Sequence, residues 1–324
     1  MTIRSFEFYQ DIPKGDSMKD PAIFQQEIEI IFDYTSKKNG NYQLVNVCPC
    51  CHSNNISLFF KKWGIPYLRC NNCNTIYSPV TKEDVAEYTS LQSLNLFRRS
   101  ISYQNDMVKR RQVQWIEYND WVYLRAFKYL GKKTGYRILD VGNRYEGLSR
   151  IIKNSDYCST YENVDSVLSK KTINEVLGEF DIIILNDVIC QSNEPQKDIS
   201  KYLRHSSPNG LIIMNIRGGS GFDILTTKEN APIFPYEHVL LPTEKGLDVV
   251  FNELGMEIIE FSTPGVMDFR YVLDHKESIS DDNFFIKQLV EISNPGIHAD
   301  FQYFLQKSGM SSFIRLIARK CNVE

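Results

Sequence analysis

Apolar positions recur at two periods along this chain, and the changes between them divide it. Beyond residue 131, short apolar runs suited to buried strands stand at "RILDV", "YCSTYE", "FDIIILND", "NGLIIMNIR" and "MEIIEFS". Between and after them lie "GLSRIIKN", "PQKDISKYLRH" and "TEKGLDVVFNELG", whose apolar residues return every three or four positions. Strands and helices in alternation predict an α/β sheet of mostly parallel strands. The last of these helices has a threonine start and a glycine end. "DDNFFIKQLVEIS" and "HADFQYFLQKSG" continue with helical spacing, and "SSFIRLIARK" alternates like a closing strand. Upstream, "EDVAEYTSLQSLNLFRRSI" and "VQWIEYNDWVYLRAFKYLG" read as helices that stop at Gly131, and residues 42–80 as short strands around cysteine turns. The pattern divides the chain into an arm (1–40), helical only around "DPAIFQQEIEIIFDYT", a cysteine lobe (41–80), a helical linker (81–131) and the α/β domain (132–324).

Composition narrows the class. At 324 residues, 42% hydrophobic and 24% charged, the chain is globular and long enough for two buried cores. No run approaches the roughly 20 apolar residues that span a bilayer. The N-terminus lacks the apolar core and cleavage site of a secretory leader, so a reducing cytoplasm is the expected location. A net charge of -3 gives no global basic field, which argues against a protein that coats nucleic acid.

Five of the eight cysteines fall in one segment. Cys48-Pro-Cys50-Cys51 and, eighteen residues on, Cys70-Asn-Asn-Cys73 form two C-x2-C knuckles with the spacing of a zinc ribbon. Four thiolates, Cys48, Cys51, Cys70 and Cys73, can converge tetrahedrally on Zn2+ and leave no open position, so the metal would be structural. Cys50 sits inside a knuckle and cannot ligate together with both neighbours; His52 could replace a sulfur. Disulfides and free buried thiols are the alternatives, disfavoured in a reducing compartment. Lys61, Lys62 and Arg69, interleaved with aromatics, leave open a nucleic-acid-binding ribbon, although two lysines on a hairpin are more often a solvated face.

The second candidate site opens at "RILDVGNRYEG". Asp140 ends a strand, Gly142 follows, and Gly147 precedes a helix, the layout of a turn that passes beneath an adenosine-containing ligand. Glu162 ends the next apolar run, where a carboxylate can take both ribose hydroxyls. Asn186 and Asp187 end the third, at the edge where ligands of open α/β sheets sit.

With "CPCC…CNNCNTIYSP", "ILDVG", "FDIIILNDVI", "PNGLIIMNIRGGSGFDIL", "PYEHVLLPTEKGLDVVFNELGMEIIEFSTPGVMD" and "SSFIRLIARK", residues 48–320 resemble a family. It is that of class I S-adenosylmethionine-dependent methyltransferases with an N-terminal zinc-ribbon lobe, similar to deoxysugar C-methyltransferases and polysaccharide-cluster enzymes. The resemblance implies a Rossmann-like seven-stranded sheet with a reversed last strand, S-adenosylmethionine over the first two strand ends, and a nucleotide-linked sugar as the small-molecule acceptor. It also implies that Tyr236, Glu237 and His238 lie near that acceptor, His238 as base and Glu237 orienting it; histidine titrates in the right range for this work. Asp223 and the stretch Ser262 to Asp268 are further candidates for the same cleft.

The chain also departs from the family. Arg144 and Glu146 stand where its loop has glycines, and Cys190 where "DVxEH" has a histidine. Arg144 could instead pair with the cofactor carboxylate. Space for the third strand between Glu162 and Phe180 is short. These departures define a second reading: a retained fold without catalysis, used for binding or assembly.

Overall fold

The computed structural model describes residues 3–4, 19–38, 42, 46–143, 145–165 and 171–321. In chain order these form β1 (Ile3–Arg4), α1 (Pro21–Lys37), β2 (Ile56–Lys62), β3 (Ile65–Cys70), β4 (Ile76–Tyr77), α2 (Lys82–Thr89), α3 (Gln92–Arg98) and α4 (Ile101–Leu130). The α/β unit follows with β5 (Tyr136–Val141), α5 (Glu146–Lys153), β6 (Cys158–Val164), β7 (Phe180–Asn186), α6 (Pro195–Leu203) and β8 (Ser206–Arg217). It closes with α7 (Phe222–Thr227), β9 (Leu240–Leu241), α8 (Glu244–Glu253), β10 (Met256–Ser262), α9 (Asp268–Asp274), α10 (Phe284–Glu291), α11 (Pro295–Lys307) and β11 (Phe313–Lys320).

The main sheet has the order β1-β10-β11-β8-β7-β5-β6, and only β11 runs against its neighbours. The expected reversed strand is therefore present. The seventh member differs from expectation: it is the two-residue β1, paired with β10 at one edge. At the other edge β6 is terminal, and between β6 and β7 the described residues hold only a short turn at Ile173–Glu175.

α4 is one helix of 30 residues where the sequence suggested two segments around it. It starts at Ser100, whose hydroxyl accepts from Tyr103 N, and stops at Gly131 in the left-handed region. Trp115, Tyr118, Trp121, Val122 and Ala126 pack it on the sheet face that carries Ile138, Ile182, Ile184 and Ile213. Arg125 and Lys128 of α4 both reach the buried carboxylate of Glu260 on β10, at 2.5 and 3.2 Å. The opposite face is covered by α6, α8 and, unexpectedly for a separate lobe, by the cysteine knuckles: Cys48, Cys50, Cys70 and Cys73 share a core with Leu139, Ile183, Ile212 and Phe251. The lobe's sheet, β2-β3-β4, is extended by β9 from the α/β unit. Among the described residues no helix is long and apolar enough to cross a membrane.

Candidate methyl-transfer site and metal centre

The two knuckles fold as copies of one turn. His52 N donates to Cys48 O and Asn74 N to Cys70 O, at 3.0 and 2.8 Å; Cys48 N and Cys70 N donate to Ser53 O and Thr75 O, at 2.9 and 3.0 Å. The residue after each second cysteine, His52 or Asn74, takes a left-handed φ of 55° or 63°. The four sulfurs of Cys48, Cys51, Cys70 and Cys73 lie within 4.8 Å of one another, and all eight cysteines are free thiols. Backbone amides of Asn72 and Cys73 point at Cys70 Sγ from 3.4 and 3.5 Å, an arrangement that favours a thiolate there. Four sulfurs at this spacing fit a tetrahedral soft cation. Cys50 faces α8 instead, and His52 turns outward to Glu253.

At the carboxyl edge of the sheet, Asp140 is fully buried. Its Oδ2 accepts from Tyr161 OH at 2.6 Å and from Asn143 Nδ2 at 2.7 Å, while its Oδ1 has no hydrogen-bond partner among the described residues. Asn186, on β7 two positions beyond Asp140's partner Ile184, accepts from Tyr118 OH at 3.2 Å, and its Nδ2, drawn toward Asp140, makes no full hydrogen bond. Between them Gly142 has φ +73°, and a Cβ there would stand 3.1 Å from Asn186 O. Only glycine combines that backbone with that approach. A carboxylate and an amide that face each other without a full hydrogen bond, on either side of a glycine turn, suit the ammonium and carboxylate of an amino-acid moiety such as that of S-adenosylmethionine.

Other expected cofactor residues fare differently. Arg144 lies outside the described residues. Glu146, on the first turn of α5, is exposed and pairs with Arg150 at 2.7 Å, so it obstructs nothing. A Cβ on Gly147 would come within 2.2 Å of Trp115 Cζ3; that glycine makes room for α4. Glu162 does not end its strand: pairing continues through Asn163 and Val164, which leaves Glu162 beside Lys171 at 2.5 Å. The residue that follows the strand is Asp165, already bonded to Ile173 N and Tyr202 OH. Asp187 is exposed, with φ 56°. Arg111 of α4, missed in the sequence, stacks on Tyr145 at 4.8 Å, and the field of Tyr145 first, then that of Asp187, raises its pKa against desolvation.

The "PYEH" turn lies beside this edge, held by Gln191 Nε2, which donates to Tyr236 O at 2.9 Å. Tyr236 is fully buried, stacked on Tyr88 at 5.1 Å with its hydroxyl 3.0 Å from Tyr42 OH, so it shapes the site from below. Glu237 Oε1 accepts from Tyr88 OH at 2.7 Å and from Arg98. Phe234 N donates to His238 Nδ1 at 3.0 Å, and Tyr67 OH of the lobe to His238 O at 3.1 Å. Nδ1 also lies 3.3 Å from Phe234 O, so it can accept from the Phe234 amide with the proton on Nε2 or, when protonated, donate to that carbonyl. Asp223 and Asp268 lie nearby but are engaged, Asp223 with Arg217 and Asp268 with Ser311 and Ser312.

Burial pushes the Asp140 carboxyl up to about 6, against the pull of Tyr161 and Asn143. Its folded pKa exceeds its unfolded one, so the folded state binds the extra proton, and stability falls as pH rises from about 4 to about 6. Asp140→Asn keeps an oxygen for both donors. It is expected to flatten that slope and to stabilise the fold at pH 7 by up to about 3 kcal/mol, read by denaturant unfolding at several pH values.

Residues 108–261 match the family described as "Methyltransferase domain". The match spans just under half of the chain, and with the sheet order it likens the α/β unit to a methyltransferase domain. Comparison with curated proteins finds no match. Among solved structures, the chain is similar to the plantazolicin methyltransferase BpumL in complex with SAH (12% identity, 73% of this chain and 93% of that one, TM-score 0.42). It is likewise similar to phosphoethanolamine N-methyltransferase 2 of Haemonchus contortus with S-adenosyl-L-methionine (18% identity, 70% of this chain and 59% of that one, TM-score 0.42). A third, the [4+2]-cyclase SpnF, is at 15% identity over 62% and 80% of the chains, with TM-score 0.34.

Proposed function

We propose that the chain transfers a methyl group from S-adenosylmethionine to a polar small molecule, a nucleotide-linked sugar by the sequence resemblance, and holds a structural zinc at Cys48, Cys51, Cys70 and Cys73. The observation that carries the reading is the Gly142 turn, where only glycine fits, flanked by the buried Asp140 carboxylate and the Asn186 amide. Asp140 and the Gly142 turn would hold the amino-acid end of the cofactor, with Asn186, Asp187 and Arg111 around it. The bound cofactor supplies a methyl on sulfonium sulfur, and its transfer needs the acceptor atom in line and water excluded.

On this reading the acceptor lies between Asn186 and the "PYEH" turn. His238 presents Nε2 to the acceptor, as a donor when Nδ1 accepts from the Phe234 amide and as a base when Nδ1–H donates to Phe234 O. Glu237, anchored by Tyr88 and Arg98, supplies negative charge beside it. Whether carbon or oxygen is methylated depends on the acceptor.

Calorimetric titration of S-adenosylmethionine into the purified chain tests this. Micromolar binding supports it; no heat at millimolar ligand sinks it. One observation favours a non-catalytic binding module instead: Trp115 fills the space beyond Gly147 that a bound cofactor could have used.

A further inference from the structure

Glu27 lies in the middle of α1, on the arm, yet only 1% of its surface is exposed. Its carboxylate takes Arg98 Nε at 2.8 Å, Tyr103 OH at 3.3 Å and Lys19 Nζ. Arg98 spends its other nitrogen on Glu237, in the "PYEH" turn, and Tyr88 donates to the same oxygen at 2.7 Å. The field of Glu27 also reaches Arg111, the cation that leans over Tyr145 at the cofactor end. One carboxylate from α1 thus meets the donors that α3 and α4 aim at the ground between the Gly142 turn and Glu237. α1 is seated beside it by Ile31, fully buried, and by Tyr34, which meets Tyr236 edge-on at 5.2 Å.

A guanidinium and a phenol converging on one carboxylate oxygen, with an ammonium on the other, is a geometry by which proteins hold carboxylates and phosphates. Here the group is internal and comes from a helix laid over the domain. We propose that Arg98 and Tyr103 form an oxyanion subsite of the acceptor pocket, and that Glu27 is its resting occupant, displaced when an acceptor bearing a phosphate or carboxylate binds. This rests on the reading of the "PYEH" turn as the acceptor side. It gives α1 a role: the arm covers the pocket, and its carboxylate competes with the acceptor's anion. An occupied subsite lowers apparent affinity by the fraction of molecules in which it is open.

The test uses the full chain without cofactor, titrated at low ionic strength with pyrophosphate as the phosphate probe and acetate as the carboxylate probe. Glu27→Ala is expected to bind one of them at least about tenfold more tightly than the unaltered chain. Adding Arg98→Ala should abolish the gain. A gain for pyrophosphate assigns a phosphate-bearing acceptor; a gain for acetate alone assigns a carboxylate. Should Glu27→Ala fail to fold, Glu27→Gln, equal in size and uncharged, is read in its place. No gain in a folded variant, or a gain that survives Arg98→Ala, overturns the proposal and leaves Glu27–Arg98–Glu237 a structural ion-pair network. Since no methyl donor is present, the outcome is independent of whether the chain binds S-adenosylmethionine.

Discussion

Cys70→Ser is expected to release the metal and to lower the melting temperature of the whole chain, not of the lobe alone. Cys48, Cys70 and Cys73 are fully buried, and their sulfurs, with that of Cys51, lie within 4.8 Å of one another. Structural zinc in such sites contributes apparent free energies of about 10–16 kcal/mol at neutral pH, far more than the packing of a short three-stranded lobe. The lobe is also not free to melt by itself. Thr243 donates to Cys73 O at 2.5 Å, Lys245 to Asn72 O at 2.6 Å, and the knuckle cysteines share a core with β5, β7 and β8. Metal analysis should give about one zinc per unaltered chain and much less in the variant, and chelator should shift a single cooperative unfolding transition downward. Full metal content with unchanged melting would remove the four-thiolate site. Because Tyr67 of β3 supports His238 O, metal loss should also lower turnover in chains that stay folded.

The second large effect is expected at His238. His238→Ala should lower turnover by about 10²- to 10⁴-fold, the range for a lost proton-transfer or hydrogen-bonding group, while affinity for S-adenosylmethionine stays near that of the unaltered chain. The separation follows from position: the cofactor contacts proposed above come from Asp140, Gly142 and Asn186, whereas His238 hangs from a turn braced by Phe234, Gln191 and Tyr67. His238→Gln offers a sharper comparison. An amide can still donate a hydrogen bond yet cannot take up a proton, so partial retention of activity would mark His238 as a donor and full loss as a base. Unchanged turnover in His238→Ala would take the residue out of the mechanism.

Much of this molecule was readable along the chain because it depends on neighbours a few residues apart. The strand "MEIIEFS" and the closing strand after "SS" came from apolar alternation, and the four clustered cysteines of the proposed metal centre from spacing alone, since a knuckle is a five-residue turn. The loop at Gly142 was readable as a turn, but its lining was not. Glu162 looked like the end of its strand because the apolar run stops there; pairing with β5 carries the strand on to Val164, and no local signal reports a register. Gly147 looked like a cofactor glycine, yet what crowds it is a tryptophan 32 positions earlier. α7, α9 and β9 are short, and isolated turns of helix or pairs of strand residues have no period to detect.

The resemblance implied the reversed last strand; the sequence by itself determined the α/β class and the cysteine knuckles. These follow from periodicity and local turn chemistry, which each segment carries with it wherever it packs. The tertiary structure decided which groups meet: Glu237 with Arg98 and Tyr88, Glu27 with Arg98, Asp140 with Tyr161, and β9 with the metal lobe. Side chains far apart in the chain are brought together by packing and register, and the partners they find there settle their charge, their protonation and the chemistry open to them.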